Sequence, residues 1–219
     1  MWKGHVFSNR QILMKVTGIQ TNQGIRHFIH RLEKKELIKQ IEIPSIEEEN
    51  KKYSLVGITS HGMALAGKIN RRGVEVSKIK HSQLLHKFLC QRVHLKAIDK
   101  GWKYVSGRWL ESKWVGHKGV KRPDGMIIKP DNTKIAIEAE RTVKSKCRYQ
   151  QVIIHYLKMI KKGDVDKVWY VMPNEKTKHA VEQAMRSIRF LTITSSGEKQ
   201  TYLLNDDIWG KFMFTGISP

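Results

Sequence analysis

Residues 122–142 read RPDGMIIKPDNTKIAIEAERT, and this stretch decides the fold of the C-terminal half of the chain. Strand-forming residues lie on both sides of the turn-forming run PDNT at 130–133, which predicts a β-hairpin. Successive side chains of a strand point to opposite faces of a sheet, so Glu138 and Glu140 share one face. Asp124 enters the first strand of this hairpin, and we expect it to meet Glu138 across the pair.

Three carboxylates are therefore expected at one end of a hairpin, in a chain that is otherwise strongly cationic. The 219 residues include 41 Lys and Arg against 20 Asp and Glu, which gives a formal net charge of +21. Crowding like charges is unfavourable unless a positive charge offsets it, and a divalent cation with oxygen ligands does so. The cluster of Asp124, Glu138 and Glu140 is a candidate metal site, and its residue types leave open whether Mg²⁺ or Mn²⁺ is bound.

The net charge also restricts the kind of partner. An excess of 21 positive charges favours a polyanion, since each Lys or Arg placed against a phosphate releases condensed counterions. DNA, RNA and an anionic membrane surface all qualify on charge alone. No apolar run approaches the roughly 18 residues of a spanning helix, and the first residues lack the apolar core of a secretory signal. We expect a cytoplasmic protein without a membrane partner.

The first 75 residues carry the pattern of two helices followed by two strands. The first helix is predicted from Ser8, as a possible N-cap, to Thr17, and Gly18 breaks it. The second helix begins at Thr21 or Asn22, and its apolar residues recur at helical spacing: Ile25, Phe28, Ile29 and Leu32. Strands at 37–43 and 52–59 follow. This order resembles a winged helix-turn-helix domain.

In that family the second helix of the pair enters the major groove of DNA. The resemblance implies that the polar face of the second helix lies near base edges or phosphates. The residues of this face are Gln23, Arg26, His27, His30 and Lys34. For each of them taken singly, the alternative is an ordinary solvated helix face. Most of the excess positive charge lies beyond residue 75, which predicts that the second half of the chain contacts DNA as well.

Beyond residue 75 the chain alternates helices and strands around the hairpin. Helices are predicted at 82–98, after Ser145 and at 175–187, and strands at 167–172 and 190–194. The helix after Ser145 carries a continuous apolar stripe made of Tyr149, Val152, Ile153, Tyr156, Leu157 and Ile160. The strand at 167–172 is reached through a helical crossover, so it is expected to run parallel to the second hairpin strand.

The order helix, hairpin with acidic ends, helix and parallel strand resembles the core of the PD-(D/E)xK nuclease fold. We therefore expect an α+β or α/β chain with two domains. Residues 1–75 would form a winged helix-turn-helix domain, and residues 76–219 a restriction-endonuclease-like mixed sheet flanked by helices. The resemblance implies that Asp124 and Glu138 bind the metal and that the carbonyl of Ala139 is a further ligand.

The third motif position holds Glu140 where most members of that fold have Lys, although some restriction endonucleases also carry Glu there. The resemblance implies that Glu140 completes the metal shell or orients the attacking water. The missing positive charge would come from Lys144 or Lys146. Lys144 is the better candidate, because it would share the face of Glu138 and Glu140 if the strand stayed extended.

Taken together, Arg122-Pro123-Asp124-Gly125, Ile137-Glu138-Ala139-Glu140-Arg141-Thr142 and the strand KVWYVMP at 167–173 behind a winged helix resemble the MobC-type plasmid mobilisation relaxases and the related replication-relaxation proteins. This resemblance implies an endonuclease that nicks one strand of a plasmid transfer origin during conjugation. Supercoiled or other double-stranded plasmid DNA would be its substrate, and an accessory DNA-binding protein and a coupling protein its partners. Arg141 and Arg148 are further candidates for contacts with DNA.

Two other functions stay open at this point. A double-strand endonuclease of the restriction or repair type would use the same residues. A non-catalytic DNA-binding regulator or replication initiator, with a degenerate nuclease fold, is favoured by the Glu at position 140.

Overall fold

The computed structural model describes residues 5–44, 52–68, 72–75, 79, 81–107, 110, 122–195 and 198–217. The described part is a mixed α+β structure, as expected, and the chain divides into two compact units, Met1–Leu95 and Lys96–Pro219. Across the described ranges, no helix is both long and apolar enough to cross a membrane.

The N-terminal unit combines short helices with a three-stranded antiparallel sheet. In chain order its elements are β1 (Phe7–Asn9), α1 (Arg10–Thr17), α2 (Asn22–Lys34), β2 (Ile38–Pro44), β3 (Lys52–Ile58) and α3 (Ser60–Leu65), and helix α4 (His81–Asp99) continues into the second unit. The strand order is β1-β3-β2. The predicted order of two helices and two antiparallel strands is confirmed.

Strand β1 is an element that the sequence pattern did not predict, and it displaces the expected start of the first helix. Residues 7–9 pair with residues 55–57 of β3, so Ser8 is buried in a strand and is not the N-cap. Asn9 is the cap, and its side chain accepts a hydrogen bond from the N–H of Ile12. Sheet pairing to a distant strand decided this boundary.

Helix α4 extends the first unit beyond the predicted boundary at residues 75/76. Its side chains Leu84, Phe88 and Leu95 pack in one apolar cluster with Phe7 of β1 and with other residues of the sheet. The side-chain amide of Gln91 donates to the carbonyl of Phe7 at 2.7 Å. Because α4 completes the core of the N-terminal unit, the division between the units falls at residues 95/96.

The C-terminal unit is built on a five-stranded mixed sheet. Its elements are β4 (Lys103–Ser106), β5 (Gly125–Ile128), β6 (Lys134–Ala139), α5 (Lys146–Lys161), β7 (Lys167–Met172), α6 (Glu175–Arg186), β8 (Phe190–Ser195), β9 (Glu198–Leu203), α7 (Asp206–Trp209) and β10 (Phe212–Gly216). The strand order is β10-β7-β6-β5-β4, with β4, β5 and β6 antiparallel and β6, β7 and β10 parallel.

The predicted hairpin and the predicted parallel crossover are both confirmed. Strand β5 pairs with β6, and β7 lies parallel to β6 with Tyr170 opposite Glu138. In the turn, Asn132 has a φ of 63°, a left-handed conformation that Asn tolerates. The carboxylate of Asp131 accepts the N–H of Thr133 at 2.9 Å and closes the turn. Local turn chemistry thus sets the register that brings the acidic residues together.

The strand expected at 190–194 forms, but it pairs with β9 in a separate two-stranded sheet. The position beside β7 is taken by β10, which the sequence pattern did not identify. The main apolar cluster packs α5, α6 and α7 on one face of the five-stranded sheet, with Tyr149, Tyr156 and Tyr170 among its buried members.

Candidate functional site

Asp124 lies where the hairpin begins, and backbone contacts hold it against β6. Its N–H donates to the carbonyl of Ile137 at 2.9 Å. Its carboxylate accepts the N–H of Ala139 at 2.9 Å. Asp124 is therefore hydrogen-bonded to Ala139, the residue between Glu138 and Glu140. The start of β5 and the end of β6 thus lie side by side, as expected.

Glu138 and Glu140 are the only carboxylates buried in the described parts of the chain, at 4% and 5% exposure. The hydroxyl of Tyr156 on α5 donates to Glu138, and the ammonium of Lys144 forms an ion pair with Glu140. Burying a carboxylate costs several kcal/mol unless a partner compensates it. Because a carboxylate offers about four lone-pair sites, a glutamate that has such a partner is still able to bind a cation.

Three tyrosines surround these carboxylates. Tyr149 and Tyr156 come from α5 and Tyr170 from β7. Burial raises the pKa of Tyr156 and of Tyr170 well above the usual value, and in both cases Glu138 raises the pKa further. Both hydroxyls are therefore protonated at neutral pH, and that of Tyr156 donates to Glu138. The sequence pattern assigned Tyr149 and Tyr156 to the apolar stripe of a helix and Tyr170 to an apolar strand. The hydroxyl that each of them carries in an apolar stretch was the available signal of a polar role.

The hydroxyl of Tyr170 is buried and has no hydrogen-bond partner within the described ranges. The hydroxyl of Tyr149, in contrast, accepts the N–H of Lys144 at 3.0 Å. A buried polar group without a partner costs about 1–3 kcal/mol. Tyr170 is thus a hydrogen-bonding group kept beside the carboxylates without a protein partner among the described residues.

The metal ligands expected from the sequence stay a prediction. In the part of the chain that is described, no three His, Cys, Asp or Glu residues are grouped so that they could hold an ion. The donor chemistry still fits a hard divalent cation, because the available atoms are carboxylate oxygens and the carbonyl of Ala139. Mg²⁺ in particular keeps several waters and is usually held by one or two carboxylates. An unpartnered hydroxyl at Tyr170 suits such a hydrated ion.

The two candidate lysines differ in position. Strand β6 ends at Ala139, so Lys144 does not continue the strand, but the loop before α5 carries it back to Glu140. Lys146 is the first residue of α5 and is exposed. The structure therefore brings Lys144, the better candidate, to the carboxylates.

Two of the three arginines predicted to contact DNA, Arg141 and Arg148, lie near the same end of β6. Arg141 directly follows Glu140, is partly buried, and its N–H donates to the Glu140 carboxylate at 3.2 Å. Arg148 is exposed in the first turn of α5, where Ser145 caps the helix by accepting the N–H of Arg148. Both guanidinium groups belong to the unit that carries the carboxylates.

In the N-terminal unit, the predicted recognition face is a solvent-facing surface of α2. The side chain of Thr21 caps this helix by accepting the N–H of Gly24, and Ile25 and Ile29 are buried. The five polar residues of the opposite side are all exposed: Gln23, Arg26, His27, His30 and Lys34. The face is accessible to a partner, and its contact with DNA stays a prediction.

Comparison of the chain with models of protein families, with curated proteins and with solved structures finds no match.

Proposed function

We propose that this protein is a metal-dependent DNA endonuclease that binds a plasmid transfer origin and nicks one strand there. One observation carries the proposal. Glu138 at the end of β6, Glu140 directly after this strand and Asp124 directly before β5 lie at one end of the sheet in a strongly cationic chain, and both glutamates are buried. Buried ionisable groups gathered at one place are a mark of functional sites. The motif's resemblance to mobilisation relaxases narrows the substrate to a transfer origin.

In this proposal the carboxylates bind Mg²⁺ or Mn²⁺ through Asp124 and Glu138, with Glu140 and the Ala139 carbonyl as further ligands. When bound, the ion supplies Lewis-acid polarisation of the phosphate and lowers the pKa of water. The chain's own residues do the rest. Tyr156 orients the Glu138 carboxylate by its hydrogen bond.

The positive charge that a nuclease needs at the phosphate comes from Lys144 and Arg141. Lys144 is partly exposed beside Glu140, so it is able to exchange its carboxylate partner for a phosphate oxygen. Fixed cations stabilise the charge that develops on the phosphorus oxygens in the transition state. Lys146 and Arg148, at the start of α5, contact the flanking backbone phosphates.

The N-terminal unit positions the DNA in this proposal. Its two helices and paired strands would act as a winged helix, with the exposed face of α2 in the major groove. An accessory DNA-binding protein and a coupling protein would complete the assembly that transfers the nicked strand.

The test is a nicking assay on supercoiled plasmids with and without a candidate transfer origin, in Mg²⁺ or Mn²⁺. We expect Asp124→Asn and Glu138→Gln to reduce nicking at least about 100-fold, because each change removes a ligand charge at nearly constant volume. Asp164→Asn is the matched control, since Asp164 is an exposed carboxylate in the turn after α5. Nicking at the unmodified rate by both site variants would show that the assigned residues are wrong.

The same assay separates the proposal from its alternatives. Open-circle product supports a nicking enzyme, and linear product a double-strand endonuclease. A non-catalytic DNA-binding regulator is favoured by one specific observation, the ion pair of Glu140 with Lys144 at the position where the nuclease motif has Lys. For that function we expect sequence-specific binding without cleavage in either metal.

A further inference from the structure

The ring of Tyr170 is held in place while its hydroxyl is left without a partner among the described residues. The residue is 1% exposed. Its ring stacks on Phe214 of β10, with 5.5 Å between the ring centroids and 23° between the planes. Strand pairing on both sides of β7 fixes the backbone. The hydroxyl therefore cannot swing to solvent without disrupting the sheet face.

The other two tyrosines of the cluster are engaged. Tyr156 donates to Glu138, and Tyr149 accepts from the backbone of Lys144. Tyr170 alone among the three has a buried hydroxyl without a hydrogen bond to a described residue. Tyr170 and Tyr156 thus both place a hydroxyl beside the carboxylate cluster, but only the hydroxyl of Tyr156 is hydrogen-bonded to a described residue.

Tyr170 lies near more than one carboxylate of the cluster. After burial, the largest cause, the charges of Glu138, Glu140 and Asp124 all raise the pKa of Tyr170. In the register of the sheet, the backbone of Tyr170 pairs with that of Glu138. A protonated hydroxyl can donate one hydrogen bond and accept others. Those properties suit a small polar ligand placed between the carboxylates and β7.

A hydrated divalent cation has the chemistry that this arrangement can recognise. No three acidic or His/Cys side chains of the described residues are grouped to enclose a bare ion. An ion held by one or two carboxylates keeps most of its water, and those waters need hydrogen-bond partners in a buried site. A neutral hydroxyl accepts from such a water without adding another negative charge.

We propose that Tyr170 is an outer-sphere positioning residue, whose hydroxyl hydrogen-bonds a water in the hydration shell of a Mg²⁺ or Mn²⁺ ion held by Asp124 and Glu138. This inference rests on the proposed function, because it requires the carboxylates to bind a divalent cation. It adds a ligand-binding role to a residue outside the acidic motif. It also gives a reason for a buried hydroxyl that no described residue satisfies.

The test compares Tyr170→Phe with Tyr156→Phe. Both variants lose a tyrosine hydroxyl, but only that of Tyr156 is hydrogen-bonded to a described residue. In EDTA we expect Tyr170→Phe to keep or raise the thermal midpoint, because it removes an unsatisfied buried hydroxyl. We expect Tyr156→Phe to lower the midpoint, because Glu138 loses its donor.

The second measurement is Mn²⁺ binding by the full-length protein without DNA, followed by the electron paramagnetic resonance signal of free Mn²⁺. We expect Tyr170→Phe to bind Mn²⁺ about tenfold more weakly, which is the lower end of the range for residues that hydrogen-bond the ligands of a metal.

Glu138→Gln locates the ion and should bind Mn²⁺ at least about tenfold more weakly than the unmodified protein. If the unmodified protein binds Mn²⁺ and Tyr170→Phe binds it equally well, the role of Tyr170 is wrong while the metal site stands. If Tyr170→Phe is less stable in EDTA, its hydroxyl has a protein partner and the inference is also overturned. If the unmodified protein binds no Mn²⁺, or Glu138→Gln binds it unchanged, the proposed metal site itself fails.

Discussion

Buried polar side chains in the described part of the chain fall into two groups, one in each unit. Ser8, Gln91 and His94 belong to the first, and Glu138 and Glu140 to the second. In the first group the hydroxyl of Ser8 donates to the side-chain carbonyl of Gln91 at 2.8 Å, and this hydrogen bond ties β1 to α4. Each member of that pair satisfies the other, which is the pattern of a structural network. The glutamates differ, because they lie close to each other and beside a hydroxyl that no described residue satisfies.

His5 adds a pH-sensitive contact to the first network. Its Nε2 lies 3.3 Å from Nδ1 of His94. Burial, and secondly the charge of Lys87, lower the pKa of His5 from 6.5 to about 4. Folding therefore favours the neutral ring. His5 makes its full contribution to the free energy of unfolding above pH 6.5. The contribution declines below that pH, as the unfolded chain takes up a proton, and is lost near pH 4.

We expect the His5→Gln variant to lose this part of the pH dependence. Between pH 7 and pH 4 the unmodified protein should lose up to about 3 kcal/mol more of its unfolding free energy than the variant. Urea unfolding of both proteins across that range measures the difference, in which the titration of shared carboxylates cancels. Parallel pH profiles for the two proteins would contradict the assignment.

Among the elements, α2 has one face packed in the core and one face in water. Its cap at Thr21 and the spacing of Ile25 and Ile29 dock it in an apolar cluster with Leu13 and Val56. The remaining face is polar and carries a cation–π contact, since the guanidinium of Arg31 lies 5.9 Å from the ring centroid of Phe28. Packing thus fixes which side of α2 is presented to a partner.

The double variant Arg26→Ala with Lys34→Ala should weaken DNA binding without affecting the fold, because both side chains are exposed. If each side chain neutralises a phosphate, the slope of log affinity against log salt should fall by about 1 for each of the two substitutions. Fluorescence anisotropy on duplex DNA at several salt concentrations measures the slope. Lys158→Ala with Lys176→Ala is the matched control, since these exposed lysines lie on α5 and α6. If the Arg26→Ala, Lys34→Ala variant has the same slope as the unmodified protein, α2 does not contact the DNA phosphates.

At the scale of the whole molecule, the described chain consists of two units that each have their own core. The first unit draws on α4 for Leu84 and Phe88, which cover Phe7 and Leu55. The second unit closes its core around α5 and the five-stranded sheet. A chain cut at the predicted boundary would leave the first sheet without its covering helix.

Fragments of two lengths test this division. We expect residues 1–99 to unfold in a single cooperative transition. We expect residues 1–75 to lack one, because each large apolar side chain left uncovered forfeits about 1.5–3 kcal/mol. Circular dichroism melts of the two fragments make the comparison. A cooperative melt of the shorter fragment at the same temperature would show that α4 is dispensable.

The sequence by itself determined those features that depend on neighbouring residues. Strand alternation predicted a common face for Glu138 and Glu140, both of which are buried, and the turn around Asn132 set the hairpin register. Helical spacing identified α2 and its exposed face. These patterns arise from backbone geometry within a few residues, so they can be recognised without knowing how the rest of the chain folds.

Only the tertiary structure decided the contacts between distant residues. It assigned α4 to the first core, placed β10 and not β8 beside β7, and brought Lys144 to Glu140. It also turned the Tyr156 hydroxyl to Glu138 and left that of Tyr170 without a partner among the described residues. The reason is physical: the side chains that surround a carboxylate come from separate elements, and only their packing determines which hydroxyl has a hydrogen-bond partner and which has none among the described residues.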